Sequence, residues 1–174
     1  MKAIWTALLL TTVPIAPAAA QTAPATAEQL VDIENIRTLL YSYGRLLDDR
    51  RLAEYAQLFA RQGEWVGGFG AYKTPAAIQA AMEKAFASFP SDPKSRNYHV
   101  ITNPMIEVAG DRATAWSRWT FYLPGPDNKP SIMVAGRYED ELIREDGRWK
   151  FLKRVVVSDI PYMDPRETPA KAPR

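Results

Sequence analysis

Cysteine is missing from this chain altogether, and histidine appears once. Without cysteine there are no disulfides, no thiolate metal sites and no thiol nucleophile. One histidine leaves too few good ligands for a mononuclear metal centre, so neither a metal nor another cofactor is expected. An excess of one charge is missing too: 22 Lys and Arg face 20 Asp and Glu, a formal net charge of +2. That balance gives no electrostatic reason to expect a nucleic acid or an acidic membrane as partner. The apolar run at residues 3–13 is too short to span a membrane as a stable helix. No Gly-x-Ser-x-Gly nucleophile elbow occurs. Gly67-Gly68-Phe69-Gly70 lacks the lysine and the strand-to-helix setting of a phosphate loop, and reads as a bend.

What is present is one domain's worth of chain, 174 residues, with an apolar content of 47% that argues against wholesale disorder. Lys2, the uncharged run that follows and Ala18-Ala19-Ala20 have the order of a secretory signal peptide. Residues 1–20 are therefore expected to be removed, leaving a chain that begins near Gln21 with no membrane attachment. Export without cysteine fits a bacterial periplasm. Residues 21–27 read as a Thr/Ala/Pro linker and residues 161–174 as a flexible, Pro-rich tail, with one folded domain over 28–160.

Within that domain, Ile33, Ile36, Leu39, Leu40, Tyr43 and Leu47 recur at three- and four-residue steps and predict a helix over 28–48. A second helix is expected over 52–59 and a short strand over 64–66. Thr74-Pro75 reads as an N-cap with proline at the first helical position, opening a third helix to about residue 89. Four long strands follow, over 96–108, 112–123, 131–145 and 148–158. The last two are joined by Asp146-Gly147, a strong hairpin signal. The expected fold class is α+β: a cone-shaped barrel in which a strongly bent, mostly antiparallel sheet wraps three N-terminal helices. The interior of such a cone is where a ligand would sit.

His99 heads a long strand, where alternation puts residues 99, 101 and 103 on one face, so Asn103 is expected beside it. A histidine there can take and return a proton near neutral pH, or can be a half-buried side chain satisfied by its neighbours. Asp48 follows the apolar stripe ending at Leu47, and reads either as a pocket carboxylate or as part of the solvated turn Asp48-Asp49-Arg50-Arg51. Tyr138, Asp140 and Leu142 share a strand face. Arg154 on the next strand is a candidate partner for Asp140, in a structural ion pair or in catalysis. Trp65, Trp116, Trp119, Phe121 and Trp149 are candidates for an aromatic lining or for ordinary core.

Four segments together resemble the SnoaL-like members of the nuclear transport factor 2-like superfamily. They are Tyr43-Gly-Arg-Leu-Leu-Asp48, Leu58-Phe59 through Gly63-Glu64-Trp65, His99 through Asn103 with Gly110-Asp111-Arg112-Ala113, and Gly136 through Asp140 with Gly147-Arg148-Trp149. Resemblance to scytalone dehydratase-like proteins implies Asp48 and His99 as a catalytic pair, without the second histidine those proteins use. Resemblance to ketosteroid isomerase implies Tyr43 and Asp140 as donors to a substrate oxygen, while the position of its aspartate base falls near Gly67. The implied activity is a cofactor-free lyase, dehydratase or isomerase acting on a small aromatic or polycyclic hydrophobic molecule. Deformylating lyases of lignin-derived diaryl compounds also resemble this family. Asn103, Trp65, Trp119 and Tyr138 would shape the pocket, and relatives often pair through the sheet, so a homo-oligomer is expected. An exported binding domain without turnover is the alternative.

Overall fold

A computed structural model describes residues 25–87 and 96–167. The expected signal peptide, most of the linker and residues 168–174 lie outside the described residues. Helix α1 spans Ala27–Asp48. It starts at a capping box in which Gln29 N–H donates to Thr26 Oγ1 at 3.2 Å and Thr26 N–H donates to Gln29 Oε1 at 2.9 Å. Its buried stripe is Ile36, Leu39, Leu40, Tyr43, Leu46 and Leu47. Helix α2, Leu52–Ala56, is a single turn and a half. The expected continuation to residue 59 is replaced by strand β1, Phe59–Gly67, because the apolar Leu58-Phe59 pair carries the chain into the sheet instead of along a helix.

Strand β2, Gly70–Lys73, pairs antiparallel with β1, so the glycine-rich bend is a hairpin turn. Thr74 caps α3, Pro75–Phe86, which buries Ile78 and Met82. The long strands are β3 (Tyr98–Ala109), β4 (Arg112–Pro124), β5 (Pro130–Glu145) and β6 (Arg148–Ile160). Asp146 and Gly147 both have positive φ, 52° and 74°, as a tight two-residue hairpin turn requires. The sheet order is β2-β1-β6-β5-β4-β3, and only the β1–β6 pairing is parallel. A seventh strand, β7 (Tyr162–Met163), pairs with β6. The flexible tail expected from residue 161 therefore begins as part of the sheet, held by Arg166, whose Nη1 reaches Glu139 at 2.6 Å.

The result is the expected α+β cone, three α-helices against one strongly curved, seven-stranded mixed sheet. The core lies between α1 and the concave sheet face, where Tyr43, Trp119, Tyr138 and Phe151 meet. Gly44 sets how closely α1 approaches β3. A Cβ there would lie 3.1 Å from Ile101 Cδ1 and 3.2 Å from His99 Cβ. That close passage brings the C-terminal turn of α1 onto the first residues of β3.

Candidate active site

Asp48 is the last residue of α1 and His99 the second of β3, so the helix end carries a carboxylate to the head of the strand. One carboxylate oxygen accepts the backbone N–H of His99 at 2.7 Å. The other lies 2.7 Å from His99 Nδ1 and 3.3 Å from Asn97 Nδ2, which donates to it. The two contacts with His99 fix both the position and the ring orientation of the histidine. An acceptor at Nδ1 selects the tautomer with Nδ1 protonated and leaves Nε2 as the basic nitrogen.

His99 is shared between two concavities. On one side is a polar cleft of about 420 Å³ that includes Arg45, Asp48, Asp49, Arg96 and Asn97. On the other is a cavity of about 310 Å³ whose walls are nearly all apolar. No Asp, Glu, Lys or Arg lines that cavity among the described residues. Asp48 thus faces the cleft while its partner histidine also faces the cavity. Phe69, Met133 and Met163 line the cavity and stay solvent-exposed, so they mark its mouth.

Tyr43, Trp65, Trp119 and Tyr138 line the cavity. The Trp65 indole N–H donates to the Tyr43 hydroxyl at 2.9 Å. Trp65 stacks on Phe69 at 5.2 Å and Trp119 on Tyr138 at 5.5 Å, giving flat aromatic walls. His99 packs on Phe121, with ring centroids 4.5 Å apart. Burial raises both Tyr43 and Tyr138 above the usual phenol range, against an opposing pull from Arg154. Both therefore carry their protons at neutral pH and are available as donors.

Two expected site residues are placed elsewhere. Asp140 does not line the cavity. Its carboxylate accepts from Arg154 Nε at 2.7 Å and Nη2 at 2.6 Å, and both side chains are fully buried. Burial lifts the Asp140 carboxyl against the pull of Arg154, and the forked contacts keep the pair ionic, so Asp140 is an acceptor where the resemblance implied a donor. Asn103 is also absent from the lining. It sits with φ 52° where the β3–β4 register shifts between Thr102 and Met105, and the break in alternation turns it outward. Of the other aromatic candidates, Phe121 lines the cavity, Trp149 is core bonded to Asp32, and Trp116 packs with Arg118.

Leu47, Phe86 and Met163 are among the further residues that line the cavity, and sequence reading missed all three as pocket residues. Leu47 lay on the recognised α1 stripe. Met163 carried no signal at all, since a two-residue strand is too short to show a period. No group of three or more His, Cys, Asp or Glu residues could hold a metal among the described residues. No helix among them is long and apolar enough to cross a membrane.

The fold and site can be set beside known proteins. A search of curated proteins finds no match. Among solved structures the chain is similar to Rv3472, a protein of unknown function from Mycobacterium tuberculosis, with 26% identity, a TM-score of 0.66, and coverage of 76% of this chain and 74% of that one. A nuclear transport factor 2-like protein with a cystatin-like fold from Novosphingobium aromaticivorans matches at 23% identity and a TM-score of 0.63, covering 73% and 81%. A protein described as a proposed scytalone dehydratase from the same organism matches at 23% identity and a TM-score of 0.63, covering 75% and 85%. At that identity the last two speak for the fold alone. The family model for the SnoaL-like domain matches residues 28–155. The chain belongs to the SnoaL-like domain family.

Proposed function

We propose that this protein is a cofactor-independent lyase, dehydratase or isomerase that moves a proton on a small, neutral, aromatic compound. One observation carries the reading. His99 lines an apolar cavity of about 310 Å³, and its Nδ1 is held 2.7 Å from Asp48 on the far side. A base oriented this way presents Nε2 to whatever occupies the cavity. Abstraction of a C–H proton next to a carbonyl would leave an enolate, with the electron pair drained onto oxygen. The Tyr43 and Tyr138 hydroxyls are the donors suited to that oxygen. Protonated His99 then returns the proton to carbon, giving an isomer, or to a departing hydroxyl, releasing water. The absence of charge on the walls favours a neutral ligand, and a volume at the lower end of the roughly 300–1,000 Å³ of small-molecule sites favours one or two rings. A diaryl substrate is at the upper limit of that size.

The reading includes export to a periplasm and assembly into a homo-oligomer. For the second, support comes from the outer sheet face, where Tyr98, Tyr122 and Ile132 form one cross-strand row beside Val100. Tyr98 and Ile132 are 46% and 60% exposed, and a contiguous exposed apolar row of this kind suits contact with a second copy of the chain.

Proton abstraction can be tested without knowing the natural substrate. Incubation with 1-tetralone in deuterated buffer should give protein-dependent deuterium uptake beside the carbonyl, read by mass spectrometry. His99→Gln and Asp48→Asn should slow it by two or more orders of magnitude, roughly the loss expected for a positioned base. Binding of tetralone in the cavity with no exchange in the wild type would make the protein a binding domain without turnover.

A further inference from the structure

Beneath the cavity wall lies a charge that the proposed proton transfer does not use. The Arg154 guanidinium carbon sits 4.0 Å from the Tyr43 ring centroid and 4.1 Å from the centroids of both Tyr138 and Phe151. Asp140 holds its Nε and Nη2, while Nη1 is buried with no hydrogen-bond partner among the described residues. The cation is thus pinned by one edge and pressed against the two rings whose hydroxyls belong to the cavity-lining tyrosines.

Stability alone gives little reason for this arrangement. A buried ion pair replaced by apolar side chains of similar volume often leaves a protein as stable as before, or more so. The geometry does have an electrostatic consequence. A cation within about 6 Å of a ring face draws electron density from the ring. A phenol so polarised holds its proton less tightly and donates a stronger hydrogen bond. At Tyr43 the Trp65 N–H adds to the effect by donating into the hydroxyl oxygen.

We propose that Arg154 is a positioning residue which sets the donor strength of Tyr43 and Tyr138 toward an oxygen bound in the cavity, with Asp140 as its counter-ion. The inference rests on the reading of the cavity as the site for a neutral carbonyl compound. The direction of the electrostatics agrees with it, since Arg154 works against burial at both phenols. The Asp140 carboxylate, which accepts from Nε and Nη2 on one edge of the guanidinium, acts here through the arginine.

The test compares two probes of the same shape, 1-tetralone, which offers an oxygen, and tetralin, which does not. Their dissociation constants are measured by calorimetry for the wild type and for the double variant Asp140→Leu/Arg154→Met. The wild type should favour the ketone by about tenfold or more, the scale of one well-made hydrogen bond. The double variant should lose most of that preference while tetralin affinity stays within about twofold, and a Tyr43→Phe/Tyr138→Phe background, which removes both polarised hydroxyls, should make the double substitution nearly silent. Equal loss for both probes, or an unchanged preference, overturns the inference. So does a wild type that binds both probes equally. Failure of the wild type to bind either probe would instead remove the cavity reading, and the inference with it. Where the double variant does not fold, Asp140→Asn carries the test in the opposite direction. It removes the counter-ion and keeps the cation, so the ketone preference should rise, and a fall contradicts the proposal.

Discussion

Asp32 sits on the buried side of α1, 6% exposed, and is held by the Arg144 guanidinium at 2.7 Å and the Trp149 indole N–H at 3.0 Å. Those two hydrogen bonds, that of Arg144 first, hold its carboxyl below the usual range. A carboxyl depressed on folding stabilises the protein above its unfolded value and loses that contribution as pH falls through the folded one. Asp32→Asn should therefore cost about 1–3 kcal/mol at neutral pH, the scale for a buried polar group losing a charged partner. The deficit relative to wild type should shrink below about pH 4. Urea melts across that range decide it, and a deficit constant down to strong acid contradicts the role. Nothing in the sequence marked Asp32, because a lone acid in a helix reads as solvent-facing and its partners stand 112 and 117 residues away. Asp48 posed the same difficulty. Local pattern favoured a solvated turn over a site residue, and only the family resemblance linked it to a histidine 51 positions on. The Asp140–Arg154 pair was legible from strand pairing, but its place beneath two tyrosine rings was not.

At the scale of elements, periodicity located α1, α3 and the four long strands, because each is long enough to repeat its pattern several times. It failed on β2 and β7, which have four and two residues. It also failed on Asn103, since alternation assumes an unbroken register and β3 carries a shift there. The element contact that matters most is α1 on β3 at Gly44. Its neighbours at 3.1 and 3.2 Å leave no room for a branched side chain. Gly44→Val should push α1 away from β3 and lengthen the Asp48–His99 contact. The expected result is a folded, destabilised protein, by roughly 1–3 kcal/mol for overpacking, with exchange activity reduced well beyond the stability loss. Full activity in that variant would show that the helix approach does not control the site.

At the scale of the whole molecule, composition predicts a leader and element order predicts a cone, while the cavity emerges only from the three-dimensional arrangement. Residue types told of aromatic material for a pocket, yet not which rings face inward, since that depends on sheet curvature and on the cross-over of β1 beside β6. Native mass spectrometry of protein taken from its own host checks the proposed export and assembly together. The mature chain should lack Met1–Ala20 and should appear as more than one copy. A soluble monomer retaining those residues contradicts both export and assembly.

The central claim is that His99 stands as an oriented base, with Nδ1–H bound to Asp48 and Nε2 turned to the cavity. Because the chain has one histidine, a selectively 15N-labelled sample gives nitrogen signals from that residue alone. At mildly alkaline pH the spectrum should show Nδ1 protonated and Nε2 bare. Adding 1-tetralone should shift the Nε2 signal, and Asp48→Asn should abolish the tautomer preference. A wild-type spectrum with the proton on Nε2, or an Nε2 signal indifferent to the ketone, would contradict the account.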